Sequence, residues 1–177
     1  MSYRTRALAG SVLLASLTAA CGSAGESVAG PDFKKETGAT SAVTPAVTGS
    51  GHYSAAEGQW RTFSFTVRQM PDGTVQGRFA GTAHLPDGGV NHWAGPLTCV
   101  VVDGTEAWFG GIYERATNPA LVGTGFTVKV EDNGEGRRAE PDMISRAMRG
   151  GDDCSLRPAP NAEFYYKVEA GNIKIHR

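Results

Sequence analysis

The chain has 177 residues, of which 33 are Gly or Pro, 40% are hydrophobic and 20% are charged, with a formal net charge of −1. That length sets one domain with at most an appendage, and breaker usage well above average argues against long helices and for many short strands joined by turns. No basic face or stripe of the kind a nucleic-acid binder displays is present.

Residues 1–20 read MSYRTRALAGSVLLASLTAA. Arg4 and Arg6 make a positive start, no acid occurs before Glu26, and Ala7–Leu17 is an apolar run. That run is shorter than the ~20 residues a bilayer-spanning helix needs, so it reads as a secretory signal. The segment Leu17-Thr18-Ala19-Ala20-Cys21 then places small residues directly before a cysteine. It resembles the lipobox of bacterial lipoproteins, with Thr18 where that pattern more often has Leu and Leu17 one residue further back. The resemblance implies a thioether-linked diacylglycerol on Cys21, cleavage before it, and acylation of the new amine with a fatty acid such as palmitate. Two or more chains give stable anchoring where one gives only marginal binding. Gly22, rather than Asp, after the cysteine is compatible with outer-membrane sorting. The mature chain would keep 157 residues with 15 basic and 18 acidic side chains, a net charge of −3.

Residues 22–48 are dominated by small, polar and breaker residues, with Phe33 the single aromatic and no lasting period. Such a stretch buries too little surface to offset its ordering entropy, so 21–48 is expected to be a lipidated, disordered tether spanning roughly 25–30 Å. From Gly49 to Arg177 an all-β domain is expected.

Within that domain, Phe63, Phe65 and Val67 alternate with polar residues, and Pro71-Asp72-Gly73 follows. Val75, Gly77, Phe79, Gly81 and Ala83 alternate next, and a second Pro86-Asp87-Gly88 follows. Two such turns after two alternating runs predict a β-meander. Leu97–Val102 is a β-branched run ended by Asp103-Gly104, and Glu106–Tyr113 returns with Ala107, Phe109, Gly111 and Tyr113 on one face. Phe126, Val128 and Val130 alternate before an acidic turn, and Asp142–Met148 reads as a strand or a short helical turn. Phe164, Tyr166 and Val168 alternate again, and Ala170-Gly171-Asn172 reads as a hairpin turn before Ile173 and Ile175. Eight or nine strands in about 125 residues is the density of a single antiparallel sandwich or small barrel. Glycines inside strands tilt this toward a closed or strongly coiled sheet.

With Cys21 assigned to the anchor, Cys99 and Cys154 remain, and in an oxidising compartment they are expected to pair and pin the loop around Cys154 to the sheet. No C-x-x-C and no His at ligand spacing favours a metal at these cysteines. Glu131-Asp132-Asn133-Gly134-Glu135 offers hard oxygen ligands suited to Ca²⁺, but it departs from the EF-hand spacing and reads first as a turn. The histidines, His52, His84, His92 and His176, stand apart in sequence, and His92-Trp93 is placed to border a pocket mouth. There is no Gly-x-Ser-x-Gly, no Walker A loop and no dinucleotide fingerprint. No cofactor, metal or catalytic group is therefore expected, and the domain is expected not to be an enzyme. Trp93 and Trp108 fall out of step with the core faces and are the candidate binding residues.

Gly58-Gln59-Trp60, just before the first strong alternating run, resembles the start of lipocalins, some of which are bacterial lipoproteins. A later Thr-Asp-Tyr type motif and a terminal helix are missing. A broader resemblance, across most of 50–177, is to uncharacterised exported bacterial all-β domains. It rests on Phe63-Ser64-Phe65, the Cys99 strand, the run from Phe126 to Gly134, and the ending Gly171–His176. It implies an exported β-module and brings no active site. The expected protein is thus an envelope lipoprotein, membrane-bound through Cys21, with its domain in the periplasm or outside the cell. Its role would be structural or in binding a ligand or partner, not nucleic acid. The alternative is a lipocalin-like carrier of an apolar small molecule.

Overall fold

A computed structural model describes residues 44–56, 58–136 and 138–176. Cys21, the signal and most of the expected tether lie outside the described residues. The strands are β1 (Ala46–Ala56), β2 (Gln59–Gln69), β3 (Val75–His84), β4 (Val90–Asp103), β5 (Glu106–Ile112), β6 (Arg115–Ala116), β7 (Gly125–Glu131), β8 (Met143–Ser145), β9 (Met148–Arg149), β10 (Tyr165–Lys167) and β11 (Ala170–His176). They form one antiparallel sheet in the order β10-β8-β7-β5-β4-β3-β2-β1-β11, with β6 beside β4 and β9 beside β7. This nine-strand path curls into a half-barrel, so the all-β expectation holds and the choice between sandwich and barrel falls on the barrel side. Among the described residues no helix is long and apolar enough to cross a membrane.

The meander follows from its turns. Asp72 Oδ1 accepts the Thr74 amide at 2.9 Å, and Asp87 Oδ1 accepts the Gly89 amide at the same distance. Gly73 and Gly88 sit at φ +84° and +83°, the left-handed backbone that a side chain resists. Each turn reverses the chain so that β2, β3 and β4 keep one register and one inward face. That face carries Phe63, Phe65, Val67, Phe79 and Leu97, all buried.

The corner lies in β4. Its first half pairs with β3 up to Pro96, and its second half pairs with β5 from Leu97. Pro96 cannot donate to a ladder, and here it ends one. Thr98 is the extra residue of a bulge between Leu97 and Cys99, which returns Val100 to the core face. At Gly95 a Cβ would overlap the carbonyl oxygen of Ile112, so the sheet bends where the backbones touch. Beyond the corner, Ala107, Phe109, Phe126, Val128 and Val130 are fully buried. Phe65 and Phe109 rings meet at 4.4 Å between centroids, as do Tyr113 and Phe126, giving one aromatic spine across the bend.

Strand β1 begins at Ala46, three residues before the expected start of the domain, and its length of 11 residues was not legible as a strand. Its inward positions Gly49 and Gly51 lack the alternating apolar signal for a steric reason. A Cβ on Gly49 would lie 2.5 Å from the Phe65 ring, and one on Gly51 would overlap the Ala170 carbonyl oxygen. Gly58, at φ +65°, is the turn from β1 to β2. Gln59-Trp60 therefore opens the second strand rather than the first. Gly171 is likewise not a hairpin turn but part of β11. Asp142–Met148 contains the strand β8, and Phe164 lies in a short 3-10 turn rather than in the core.

The edge strand β11 is tied to the segment between β7 and β8 by carboxylates. Alternate amides of β11 face away from β1. Asp142 Oδ2 accepts the Ile173 amide at 2.7 Å and Asp132 Oδ2 accepts the Ile175 amide at 3.0 Å. The other oxygens close their own loop: Asp142 Oδ1 takes the Asn133 amide and Asp132 Oδ1 takes the Gly134 amide. Glu135 pairs with Lys174 at 2.9 Å, and Lys174 also holds its carboxyl below the usual range. The acidic loop is thus a clasp on the edge strand, with the carboxylates of Asp132 and Asp142 occupied by backbone donors and that of Glu135 by Lys174. The chain between β10 and β11 crosses the same opening, with the Glu169 amide on the His52 carbonyl at 3.0 Å and Tyr166 stacked on Tyr53 at 4.8 Å.

Candidate ligand-binding site

Among the described residues, a concavity of about 210 Å³ opens on the inner face of the half-barrel. At waters' share of the liquid, that is room for roughly seven of them. Register builds it row by row. Tyr53, Arg61, Ala83 and Asn91 are aligned across β1 to β4, and Gly51, Phe63, Gly81 and Trp93 form the next row. Gly81 is bare because the Trp93 indole lies on it: a Cβ there would sit 2.5 Å from the ring. Phe79, Tyr113 and Leu121 add further wall, and Ile144, Ser145, Arg146, Ala147 and Arg149 come from β8, β9 and the residues between them.

The lining includes Arg61, Arg146 and Arg149 and no acidic residue; Arg146 and Arg149 are exposed, and the Arg146 guanidinium lies 5.3 Å from the Phe164 ring centre. Among the described residues none of the three has an acidic partner within ion-pair distance. Arg61 donates to Gln59 Oε1 at 3.2 Å and lies 5.9 Å from the Trp93 ring centre. Its Nε and the Trp93 indole Nε1 are both buried without a hydrogen-bond partner. Leaving a buried donor unsatisfied costs roughly 1–3 kcal/mol, which is why native interiors seldom do so outside functional sites.

Burial pushes the Tyr53 phenol above its usual pKa against the pull of Arg61 and Arg146. It pushes Tyr113 up to about 12 against Arg149, Arg146 and Arg61. Both phenols are therefore neutral at physiological pH, and their hydroxyls can donate. The concavity combines aromatic walls, neutral hydroxyls and a net positive field that low-dielectric walls concentrate.

Of the two candidate tryptophans, Trp93 lines this cavity and Trp108 does not. Trp108 is 5% exposed on the opposite face of the sheet, its Nε1 donating to the Pro158 carbonyl at 3.1 Å, with Lys129 and Arg157 against its ring. The residues around Cys154 cover it, so the surface expected at Trp108 is occupied by the chain itself. That cover is held by the Cys99–Cys154 disulfide, whose Cα atoms are 5.8 Å apart, and by Thr127 Oγ1 on the Gly151 carbonyl.

His84 stacks on Trp60 at 3.7 Å, His52 meets Trp60 edge-on, and His92 shares its Nδ1 with Thr82 at the cavity border. Among the described residues no three His, Cys, Asp or Glu side chains are gathered to hold a metal.

Sequence reasoning overlooked Tyr53, Arg61, Tyr113, Arg146 and Arg149 as site residues. Arg61 had a signal: it shares the odd phase of Phe63, Phe65 and Val67, so it is a charge on a core face. Arg146 and Arg149 had none, since β8 and β9 are too short to show a period. The chain matches no family model, no curated protein and no solved structure.

Proposed function

We propose that this protein is an exported lipoprotein held to a bacterial membrane through Cys21, whose β-domain is a non-catalytic module that binds a small ligand in its concave cavity. The observation that carries the binding role is the aromatic cavity with two buried donors left unpaired. An aromatic, mostly preformed concavity with a few convergent polar groups is the usual form of a small-molecule site. A lipocalin-like carrier of an apolar molecule is the second reading. It is favoured by the meander that curls around the cavity, while three guanidiniums in the lining weigh against a wholly apolar cargo.

The anchor and the cavity are tested separately. The mature protein should begin at Cys21, carry acyl mass and partition into detergent, and Cys21→Ser should abolish the lipid. A wild-type protein without lipid and with a different N-terminus would remove the anchor from the proposal. For the cavity, the full-length Cys21→Ser chain is titrated with a panel of small aromatic molecules while the indole N–H resonances of its three tryptophans are followed. The Trp93 signal, assigned by Trp93→Phe, should move while those of Trp60 and Trp108 stay, and Ala147→Phe should suppress the movement by filling the space. Movement confined to Trp60, on the outer face, would place the binding elsewhere.

A further inference from the structure

We infer that the ligand of this cavity is a small organic oxyanion, a carboxylate or phosphate carried on a flat apolar body. The inference rests on the binding role proposed above and adds the chemical class. The unpaired groups decide it. Arg61 Nε and Trp93 Nε1 are both buried and both lack a partner. Arginine and the indole nitrogen are donors only, so neither can be satisfied by a ligand's own donor. What these two donor atoms lack is an acceptor.

Charge narrows the choice. Arg61, Arg146 and Arg149 line the same space, the last two solvent-exposed, and no acidic residue lines it with them. A neutral acceptor would pair the two donors and leave this positive field without a counter-charge. An oxyanion meets both needs, and Arg presents a planar fork that fits carboxylate and phosphate alike. The burial-raised Tyr53 and Tyr113 hydroxyls stay protonated and add neutral donors.

Shape sets the rest of the ligand. Phe63, Phe79, Trp93 and Tyr113 supply flat faces, and the volume of about 210 Å³ is below that of a drug-sized site. A single substituted ring with its acid group fits such a space, whereas a whole phospholipid does not.

The test uses benzoate and phenyl phosphate as oxyanion probes, benzyl alcohol as the neutral control and benzylamine as the cationic one. Affinity is read from the Trp93 indole N–H resonance of the full-length Cys21→Ser chain. Benzoate or phenyl phosphate should bind at least ten-fold more tightly than benzyl alcohol, and benzylamine should not move the signal. Which of the two anions binds more tightly distinguishes a carboxylate from a phosphate ligand. Arg61→Gln should cut oxyanion affinity at least five-fold and lower benzyl alcohol affinity by a smaller factor. Arg61→Lys, which keeps the charge but loses Nε, should recover only part of it. Unshifted indole N–H resonances of Trp60 and Trp108 show that the variant has folded. Equal affinity for benzoate and benzyl alcohol, or an Arg61→Gln chain that binds benzoate as before, overturns the oxyanion inference and leaves the cavity as a binding site. If no probe of either kind moves the Trp93 signal, both the inference and the binding role fail.

Discussion

Replacing Cys99 and Cys154 together by alanine is expected to destabilise the domain by about 4 kcal/mol, as the chain-entropy account gives for a closed loop of this length. The two cysteines are 55 residues apart in sequence, and Cys154 is 1% exposed, so the bridge both shortens the unfolded chain and fills interior space. The effect should have a local signature as well. The segment that Cys154 anchors covers Trp108 through the Pro158 carbonyl and the Arg157 side chain. Without the bridge, Trp108 emission should shift to the red before global unfolding, in a chain whose Trp60 and Trp93 are replaced by Phe. Urea titration of the double variant gives the magnitude. A loss under about 1 kcal/mol, with Trp108 emission unchanged, would mean that packing alone holds this cover in place. The double replacement is the proper comparison, because a single one leaves a free thiol next to the new cavity.

Asp142→Ala should cost about 3 kcal/mol, from two charge-assisted hydrogen bonds whose donors are then left without a partner. Asp142 is 7% exposed and accepts the amides of Asn133 and Ile173. The first of these shapes the acidic turn and the second holds the free edge of β11. Asp142→Asn keeps one acceptor oxygen and should lose about half as much. Asp132→Ala removes the equivalent pair at a less buried position and should cost nearer 1 kcal/mol. Amide hydrogen exchange separates this mechanism from a general loss of stability. In Asp142→Ala the amide of Ile173 should exchange faster by a larger factor than the amides of β2 or β3. Uniform acceleration across the sheet would show that the carboxylate does not act as a local clasp. An exposed edge strand is a template for pairing with other chains, so the clasp also bears on aggregation.

Taken element by element, the molecule divides cleanly between what alternation can carry and what it cannot. Phe63, Phe65 and Val67, Val75 to Ala83, and Phe126, Val128 and Val130 are each on the face their spacing assigns. Period two is a property of the extended backbone itself, and it survives any tertiary arrangement. The Pro-Asp-Gly turns were legible for the same reason, since Asp72 and Asp87 bond to amides only two residues away. The pairing of Cys99 with Cys154 followed from there being no other domain cysteine.

What sequence alone did not determine depends on contacts between distant segments. β1 was hidden because the two middle positions of its inward face, Gly49 and Gly51, are glycine, which is readable only once the Phe65 ring and the Ala170 backbone are seen against them. Trp108 shares its outward phase with polar surface positions, and only the Cys154 segment folded over it makes that face interior. Asp132 reads as a turn acid and Asp142 as the start of a strand or short helical turn, yet their partners lie 43 and 31 residues away on β11. The cavity is the extreme case. Tyr53, Arg61, Trp93, Tyr113, Arg146 and Arg149 come from separate stretches of chain, and they converge only because the sheet turns its corner at Gly95 and curls back on itself. Local residues set the strands, their faces and their turns; the curvature, which is a sum over many close approaches between backbones, decided where the charges meet.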